Sequence, residues 1–278
     1  QKGAPLDQVE VIVGDIRDEV LVGKACENAD AVIHLAADTR VIDSIGNPSF
    51  NFDVNVKGSF NVLEACRIHR VPRLIAASTG GAIIGEATPP VHEEMVARPL
   101  APYGASKLAL EGYLHAFAKS YGMQCHALRF SNVYGPLSFH KGSVVAQFLR
   151  DVWQRKALMV YGDGSASRDF VHVSDICLAI SLCLEKKDDA RSTYQIGTGI
   201  ATSINALIAL IRETVAPGFD VNVEYQSARE GEIRDTYSDI SLARRHLGFH
   251  PRTRLAEGLR STWQWYQAFY AAQHAGAA

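Results

Sequence analysis

Apolar positions along the chain fall into two alternating rhythms. Residues 9–13 (Val-Glu-Val-Ile-Val) and 31–35 (Ala-Val-Ile-His-Leu) are short runs of strand length, and between them residues 14–27 carry a glycine turn and then helical spacing. Strand, helix, strand is the opening of a parallel sheet covered on both faces. After Pro48 the apolar positions Val54, Val56, Phe60, Leu63 and Ala65 predict an amphipathic helix, and residues 73–77 (Arg-Leu-Ile-Ala-Ala) the next strand, which runs into Ser78-Thr79-Gly80-Gly81. Pro99 and Pro102 then stand at the head of a long helical run to Tyr121, marked by Leu110, Leu114 and Phe117, because proline is tolerated in the first turn of a helix and not inside it. Residues 125–130 predict a strand ending in Ser131-Asn132-Val133-Tyr134-Gly135-Pro136. Beyond Pro136 the rhythm is less regular. Helices are expected over 143–154, 175–184, 204–214, 242–247 and 255–270, an apolar run over 158–161, and fraying of the Ala-rich end after Gln273. There is no internal repeat and no long linker, so any second lobe is expected to pack against the first.

Composition narrows this picture without changing it. The chain has 278 residues, 47% of them hydrophobic, and a formal net charge of -2, which suits a globular protein with a full core and gives no basic excess for nucleic acid. No apolar run reaches the length of a membrane span and no charged-then-apolar leader opens the sequence, so a cytoplasmic protein without a membrane partner is expected. The five cysteines (Cys26, Cys66, Cys125, Cys177, Cys183) show neither a CxxC pair nor a zinc-site spacing. They read as reduced core residues, and no metal site is expected.

Candidate chemistry concentrates where strands end. Ligands of open α/β sheets bind beyond the carboxyl ends of the strands, and Asp15, Ser78 with Thr79, and Asn132 all fall there. Tyr103 and Lys107 lie one turn apart on one helix face. A phenol keeps its proton until about pH 10, but a neighbouring ammonium favours the phenolate, so the pair is expected to serve as a base near neutrality. By itself such a pair is also an ordinary helix surface, and its context decides.

That context is an ordered set of short motifs. Gly14-Asp15-Ile16-Arg17-Asp18, His34-Leu35-Ala36-Ala37, Asn55-Val56-Lys57-Gly58, Ser78-Thr79-Gly80-Gly81, Tyr103 with Lys107, the run from Arg129 to Pro136, the run from Arg168 to Asp175, and Ile196-Gly197-Thr198-Gly199 span nearly the whole chain. Together they resemble the extended short-chain dehydrogenase/reductase family, in particular its nucleotide-sugar epimerases and dehydratases. The resemblance implies an α/β fold: a Rossmann-like doubly wound parallel sheet with a smaller mixed α/β substrate-binding lobe. It places an NAD-binding domain at 1–135, joined again by 166–200, and a substrate lobe mainly at 136–278.

Carried over position by position, the resemblance implies NAD as cofactor. Asp15 and Ile16 would hold its adenine end, Ala36 and Ala37 with Leu35 its pyrophosphate and ribose, and Asn55 and Phe130 would also line the cofactor. Lys107 would bond the nicotinamide ribose, Tyr103 would be the base, and Thr79 or Ser78, with Thr79 favoured, would orient the sugar hydroxyl or the tyrosine oxygen. Asn132, Ser143, Val144, Arg168, Arg229 and Glu232 would meet the substrate, the arginines at its phosphates. Dehydratases of the family resemble Thr-Asp-Glu where this chain has Thr79-Gly80-Gly81, and glycines transfer no protons. The reading is therefore epimerisation at C4 of a UDP-hexose, Ser-Thr-Gly-Gly-Ala looking most like UDP-glucose 4-epimerases. Two alternatives remain: a sugar-nucleotide reductase or dehydrogenase that exchanges NAD(P) with solvent, and a nucleotide-binding protein of the same fold without chemistry. Ile84, Glu230 and Glu232 depart from the usual pattern and leave the sugar open. The resemblance further implies a homodimer, formed by the helices near 48–69 and 102–121 in a four-helix contact.

The family's first βαβα unit, with its glycine-rich turn, has no counterpart ahead of residue 9, and Gly3, Gly14 and Gly23 are too widely spaced to supply that turn. In the strand order 3-2-1-4-5 the two strands of that unit would lie between the runs at 9–13 and 31–35. We expect the natural polypeptide to carry this unit ahead of Gln1, rather than to be a genuine fragment that binds NAD poorly.

Overall fold

The computed structural model describes residues 8–186, 193–218, 220–228 and 234–275. Helix α1 (Glu19–Cys26) opens behind Asp18, whose carboxylate accepts the Leu21 N–H at 3.0 Å. It leads to strand β1 (Val32–His34) and helix α2 (Val41–Gly46). Asn47 caps the next helix and Pro48 opens it. α3 (Pro48–Phe52), a π-helical segment (Asp53–Gly58) and α4 (Ser59–Ile68) follow one another without leaving helical backbone. Strand β2 (Arg73–Thr79), a single turn α5 (Gly81–Ile84), the long helix α6 (Pro102–Tyr121) and strand β3 (Gln124–Phe130) complete the half of the chain that carries the site.

The remainder comprises β4 (Asn132–Tyr134), α7 (Val144–Trp153), β5 (Leu158–Tyr161), β6 (Ser167–Arg168), β7 (Phe170–His172), α8 (Val173–Glu185), β8 (Thr193–Ile196), β9 (Thr202–Ser203), α9 (Ile204–Thr214), β10 (Val223–Gln226), β11 (Asp235–Thr236), α10 (Ser241–Leu247) and α11 (Leu255–Ala275). The central sheet is parallel throughout, in the order β1-β2-β3-β8. Both of its faces are covered, and the period-two alternation of strands sorts the side chains between them. Leu74, Ala76, Cys125 and Ala127 pack with Val22, Leu63, Leu110 and Leu114 from α1, α4 and α6. Ile75, Leu128, Tyr194 and Ile196 pack with Ile176, Ala179, Leu242 and Ala243 from α8 and α10. Burial on both sides explains why β2 and β3 read as nearly continuous apolar runs. A third core joins Phe148 and Leu149 of α7, Leu158 of β5, Leu207 of α9 and Tyr266 of α11.

Three expectations are corrected. Residues 9–13 form no strand, and Val9, Val11, Ile12 and Val13 are exposed. Among the described residues β1 pairs only with β2, so the run has no ladder beside it to join, and backbone groups without a partner stay with water. Cys177 lies on the outer face of α8 and is exposed, whereas Cys26, Cys66, Cys125 and Cys183 are buried, and all five are free. Helix α11 continues to Ala275, beyond the fraying expected after Gln273, with Tyr270 stacked on Trp153 at 4.3 Å between ring centres.

Candidate active site

Helix α6 is aimed at the carboxyl end of β2 by its own first turn. Pro102 opens it, the Tyr103 N–H donates to Ser44 Oγ of α2 at 3.1 Å, and Gly104 lets α5 come so near that a Cβ there would lie 2.1 Å from the Ala82 carbonyl oxygen. Thr79, the last residue of β2, has its hydroxyl near enough to the Tyr103 phenol to favour the ionised form. Ser78 points the other way, as neighbours on a strand do, and donates its hydroxyl to Glu111 Oε1 at 2.6 Å. Of the two candidate hydroxyls, then, Thr79 meets the phenol and Ser78 is engaged behind it.

Lys107 is almost wholly buried, and its ammonium donates to the Ala77 carbonyl at 2.9 Å. Burial draws it down to about 8, against the opposing charge of Glu111. The Tyr103 phenol moves in the direction opposite to the expected one. Burial pushes it up to about 12, which the Thr79 hydroxyl only partly offsets and the nearby Asp38 carboxylate reinforces. The expectation of a base near neutrality counted the cation and left out the desolvation of the phenolate, which here is the larger effect.

The candidate cofactor residues line the same edge of the sheet. Asp15 is exposed; its carboxylate accepts the Arg17 N–H at 2.8 Å and the Arg17 guanidinium at 3.0 and 2.6 Å, contacts that hold it down to about 2. Ile16 rests against Gly58, and Asn61 donates to the Ile16 carbonyl at 3.1 Å, which docks this loop on the helix from Pro48. Leu35 and Ala36 are exposed beyond β1 and Ala37 is half-buried. Asn55 is buried and occupied: it accepts the Asp38 N–H at 2.8 Å and donates to the Asp38 carbonyl at 2.8 Å and to Ser106 Oγ at 3.1 Å, pinning the loop after β1 to α6. Phe130, half-buried, ends β3 opposite Thr79.

The candidate substrate residues are more dispersed. Asn132 opens β4, its N–H donating to the Asp169 carbonyl at 2.9 Å. Ser143 precedes α7 and Val144 is its first residue. Arg168 turns into its own loop, donating to the carbonyls of Ser167 and Arg234 at 2.8 Å each. Arg229 and Glu232 lie outside the described residues.

Three buried charged residues escaped the sequence reading. Glu111 continues the spacing of Tyr103 and Lys107, and Arg129 pairs with it through Nε at 2.9 Å and Nη2 at 2.7 Å. The spacing was the available signal. Asp169, fully buried, accepts from the Thr198 N–H at 2.8 Å, the Gly199 N–H at 3.0 Å and Ser131 Oγ at 3.3 Å, fastening the end of β3 to the loop after β8. Among the described residues no cluster of metal-ligating side chains occurs and no helix is long and apolar enough to cross a membrane. Two open clefts of about 500 and 650 Å³ lie elsewhere, on the face shared by α3, the π-helical segment and α6, where Phe52 and Val56 line both.

The chain is similar to known proteins over most of its length. The sequence model of the NAD dependent epimerase/dehydratase family matches residues 1–197. The chain is 33% identical to the UDP-glucose 4-epimerase of Mycolicibacterium smegmatis over 267 residues, covering 94% of this chain and 84% of that protein. It is 32% identical to the dTDP-glucose 4,6-dehydratase of Streptomyces niveus over 264 residues, 95% of this chain and 78% of that one. The crystal structure of the Thermus thermophilus UDP-glucose 4-epimerase in complex with NAD superposes with a TM-score of 0.83 at 33% identity, over 91% of this chain and 83% of that chain.

Proposed function

The chain belongs to the NAD dependent epimerase/dehydratase family, and on that premise we propose that it inverts C4 of a UDP-hexose, keeping NAD bound through the cycle. The observation that carries this reading is the tightly packed glycine pair next to Thr79. A side chain at position 80 would place its Cβ 2.6 Å from Gln195 Oε1, and one at 81 would lie 3.0 Å from Thr236 Oγ1. Glycine at both positions offers neither the acid nor the base that elimination of water needs at that strand end, and a side chain at either would require Gln195 or Thr236 to give way.

The residues present fit the two ends of a dinucleotide. Asp15 with Ile16 suits the adenosine side, Leu35 to Ala37 form an accessible ledge beyond β1, and Tyr103 with Lys107 stands at the nicotinamide side. NAD, when bound, supplies a hydride acceptor and then a donor. The chain's own work is proton transfer and orientation. Tyr103 takes the proton of the 4-hydroxyl as the sugar becomes a 4-keto sugar and returns it to the same oxygen once the keto sugar has rotated to offer its other face; Thr79 orients the phenol, and Lys107 is the cation one turn away on α6. Asn132, Ser143, Val144 and the arginines at 168 and 229 would hold the diphosphate end.

The exposed aromatic face supports a homodimer in which the helices at 48–68 and 102–121 of two copies meet. Phe60 and Tyr113 are edge to face at 5.3 Å, Phe117 and Tyr121 at 5.0 Å, and three of these four rings remain exposed. Five free cysteines suit a reducing, cytoplasmic setting.

Replacement of Tyr103 by Phe should lower turnover of UDP-glucose to UDP-galactose by at least about 100-fold while calorimetry shows UDP-glucose still bound. Retained turnover would remove the phenol from the mechanism, and net accumulation of reduced nicotinamide with product release would make the protein a dehydrogenase instead.

A further inference from the structure

Glu111 is a firmly held charge near the site and has no part in the steps above. It stands one turn beyond Lys107, as Lys107 stands one turn beyond Tyr103, so the three share a face of α6. The carboxylate is buried. It accepts Ser78 Oγ at 2.6 Å and the Arg129 fork at 2.9 and 2.7 Å, and Arg129 is the residue opposite Ser78 in the β2–β3 ladder. Two strands and a helix thus meet on one carboxylate. Burying an ion pair is a poor route to stability, since apolar residues of like volume commonly serve as well or better. The charge is better explained by what it faces.

It faces Lys107. Moving an ammonium out of water favours its neutral form, and Glu111 is the anion that opposes this. The other groups around the lysine do not take that place. His34 on β1 is buried and drawn down to about 4, first by burial and then by the lysine's own charge, so it is neutral near pH 7. Tyr103 lies on the same helix and Arg129 on β3 is a second cation; Asp38, in the loop after β1, acts on Tyr103, and Glu93 acts beside Arg129 while accepting the Gln195 N–H at 2.7 Å.

We propose that Glu111 is a positioning residue for the Tyr103–Lys107 pair: clamped by Arg129, its carboxylate keeps Lys107 cationic and draws the Ser78 hydroxyl away, leaving Thr79 to meet the phenol. The proposal rests on the reading of Tyr103 and Lys107 as the proton-transfer pair, and it is tested without turnover. In the full chain labelled with ¹⁵N-lysine, the Lys107 Nζ resonance, assigned by its loss in Lys107→Arg, is titrated in the natural protein, in Glu111→Gln and in Glu111→Gln/Arg129→Met. The midpoint, about 8 in the natural protein, should fall by about one unit or more in both variants. The double variant, which leaves no orphaned guanidinium, should regain most of the thermal midpoint that the single one loses. An unchanged lysine midpoint in the double variant would reduce Glu111 to a packing role and overturn the proposal. A fully active Tyr103→Phe would instead sink the proposed function and leave this titration standing. Where turnover is measured, Thr79→Ala should lose far more of it than Ser78→Ala, and the reverse order would overturn the division between the hydroxyls.

Discussion

Residues 9–13 and strand β3 are both rich in the side chains that favour strands, and their surroundings differ completely. Leu128 in β3 is 0% exposed, enclosed by α8 and α10 on its side of the sheet, while Val11 and Val13 are 79% and 91% exposed and belong to no ladder among the described residues. β-Branched side chains fit a pleated surface only where one exists, and the backbone of a lone strand does as well in water. The contrast runs through the site. Tyr103, Thr79, Lys107 and Glu111 are set by the closed part, where helices cover both faces of the sheet. Asp15, a candidate contact of the adenine end, and Leu35 and Ala36, candidate contacts of the pyrophosphate and ribose, stand around residues 9–13 and the side of β1 that pairs with no described strand. The proposed proton-transfer groups are therefore held by packing already in place, and the proposed dinucleotide side is held by local hydrogen bonds.

The sharpest way to test this contrast is to cut into the closed part. Leu128→Ala removes a side chain with no exposed surface from the middle of β3, and should destabilise the protein by about 2–5 kcal/mol, read from the shift of its urea midpoint. A loss below about 1 kcal/mol would show that the sheet interior relaxes around the cavity and that the two regions differ less than their burial implies.

A smaller effect is expected at the seam, where β1 pairs among the described residues with β2 alone. His34 is buried there and hydrogen-bonded to Ser59 Oγ at 2.8 Å, and burial draws it from the ordinary 6.5 down to about 4. Between those values the unfolded chain binds the proton and the folded one does not. The stability it contributes is therefore fully present above pH 6.5 and lost as pH falls toward 4, by about 2–3 kcal/mol. Urea titrations at pH 7 and pH 5 should show this loss, and His34→Asn should remove the part due to this residue. If the natural protein and the variant lose the same amount, β1 opens enough in solution for the histidine to ionise freely, and the seam belongs with residues 9–13.

Much of the closed part was legible from spacing. The proline at 102 with Leu110, Leu114 and Phe117 placed α6 within one residue, and the apolar run at 125–130 fell on β3, because both patterns answer to burial on known faces. Depth was not legible. The i and i+4 spacing placed Tyr103 beside Lys107 but could not weigh desolvation, which moves the phenol up and not down. Glu111 in a helix reads as a solvated charge until a strand supplies Arg129, and the sequence gives no sign that the Asn55 amide is engaged by Asp38 and Ser106. Arg168 was singled out for its fork, which in the fold is spent partly on neighbouring carbonyls. Residues 9–13 failed for the opposite reason: the local pattern was right for a strand, and no neighbour among the described residues lets it become one.

The smallest effect is the one that bears most directly on residues 9–13. Val11→Ala deletes two methyl groups from a side chain that is 79% exposed, so little apolar surface returns to water and no cavity forms; the change in stability should stay within about 0.5 kcal/mol. In the 278-residue chain the adjoining amides at 11–13, which make no ladder hydrogen bond with any described strand, should exchange with solvent within the dead time of a mixing experiment, while those of Leu74 to Ala77 in β2 remain protected. A loss above about 1 kcal/mol together with protected amides would mean that the run is paired in solution, and the two apolar runs would then differ in partner and not in kind.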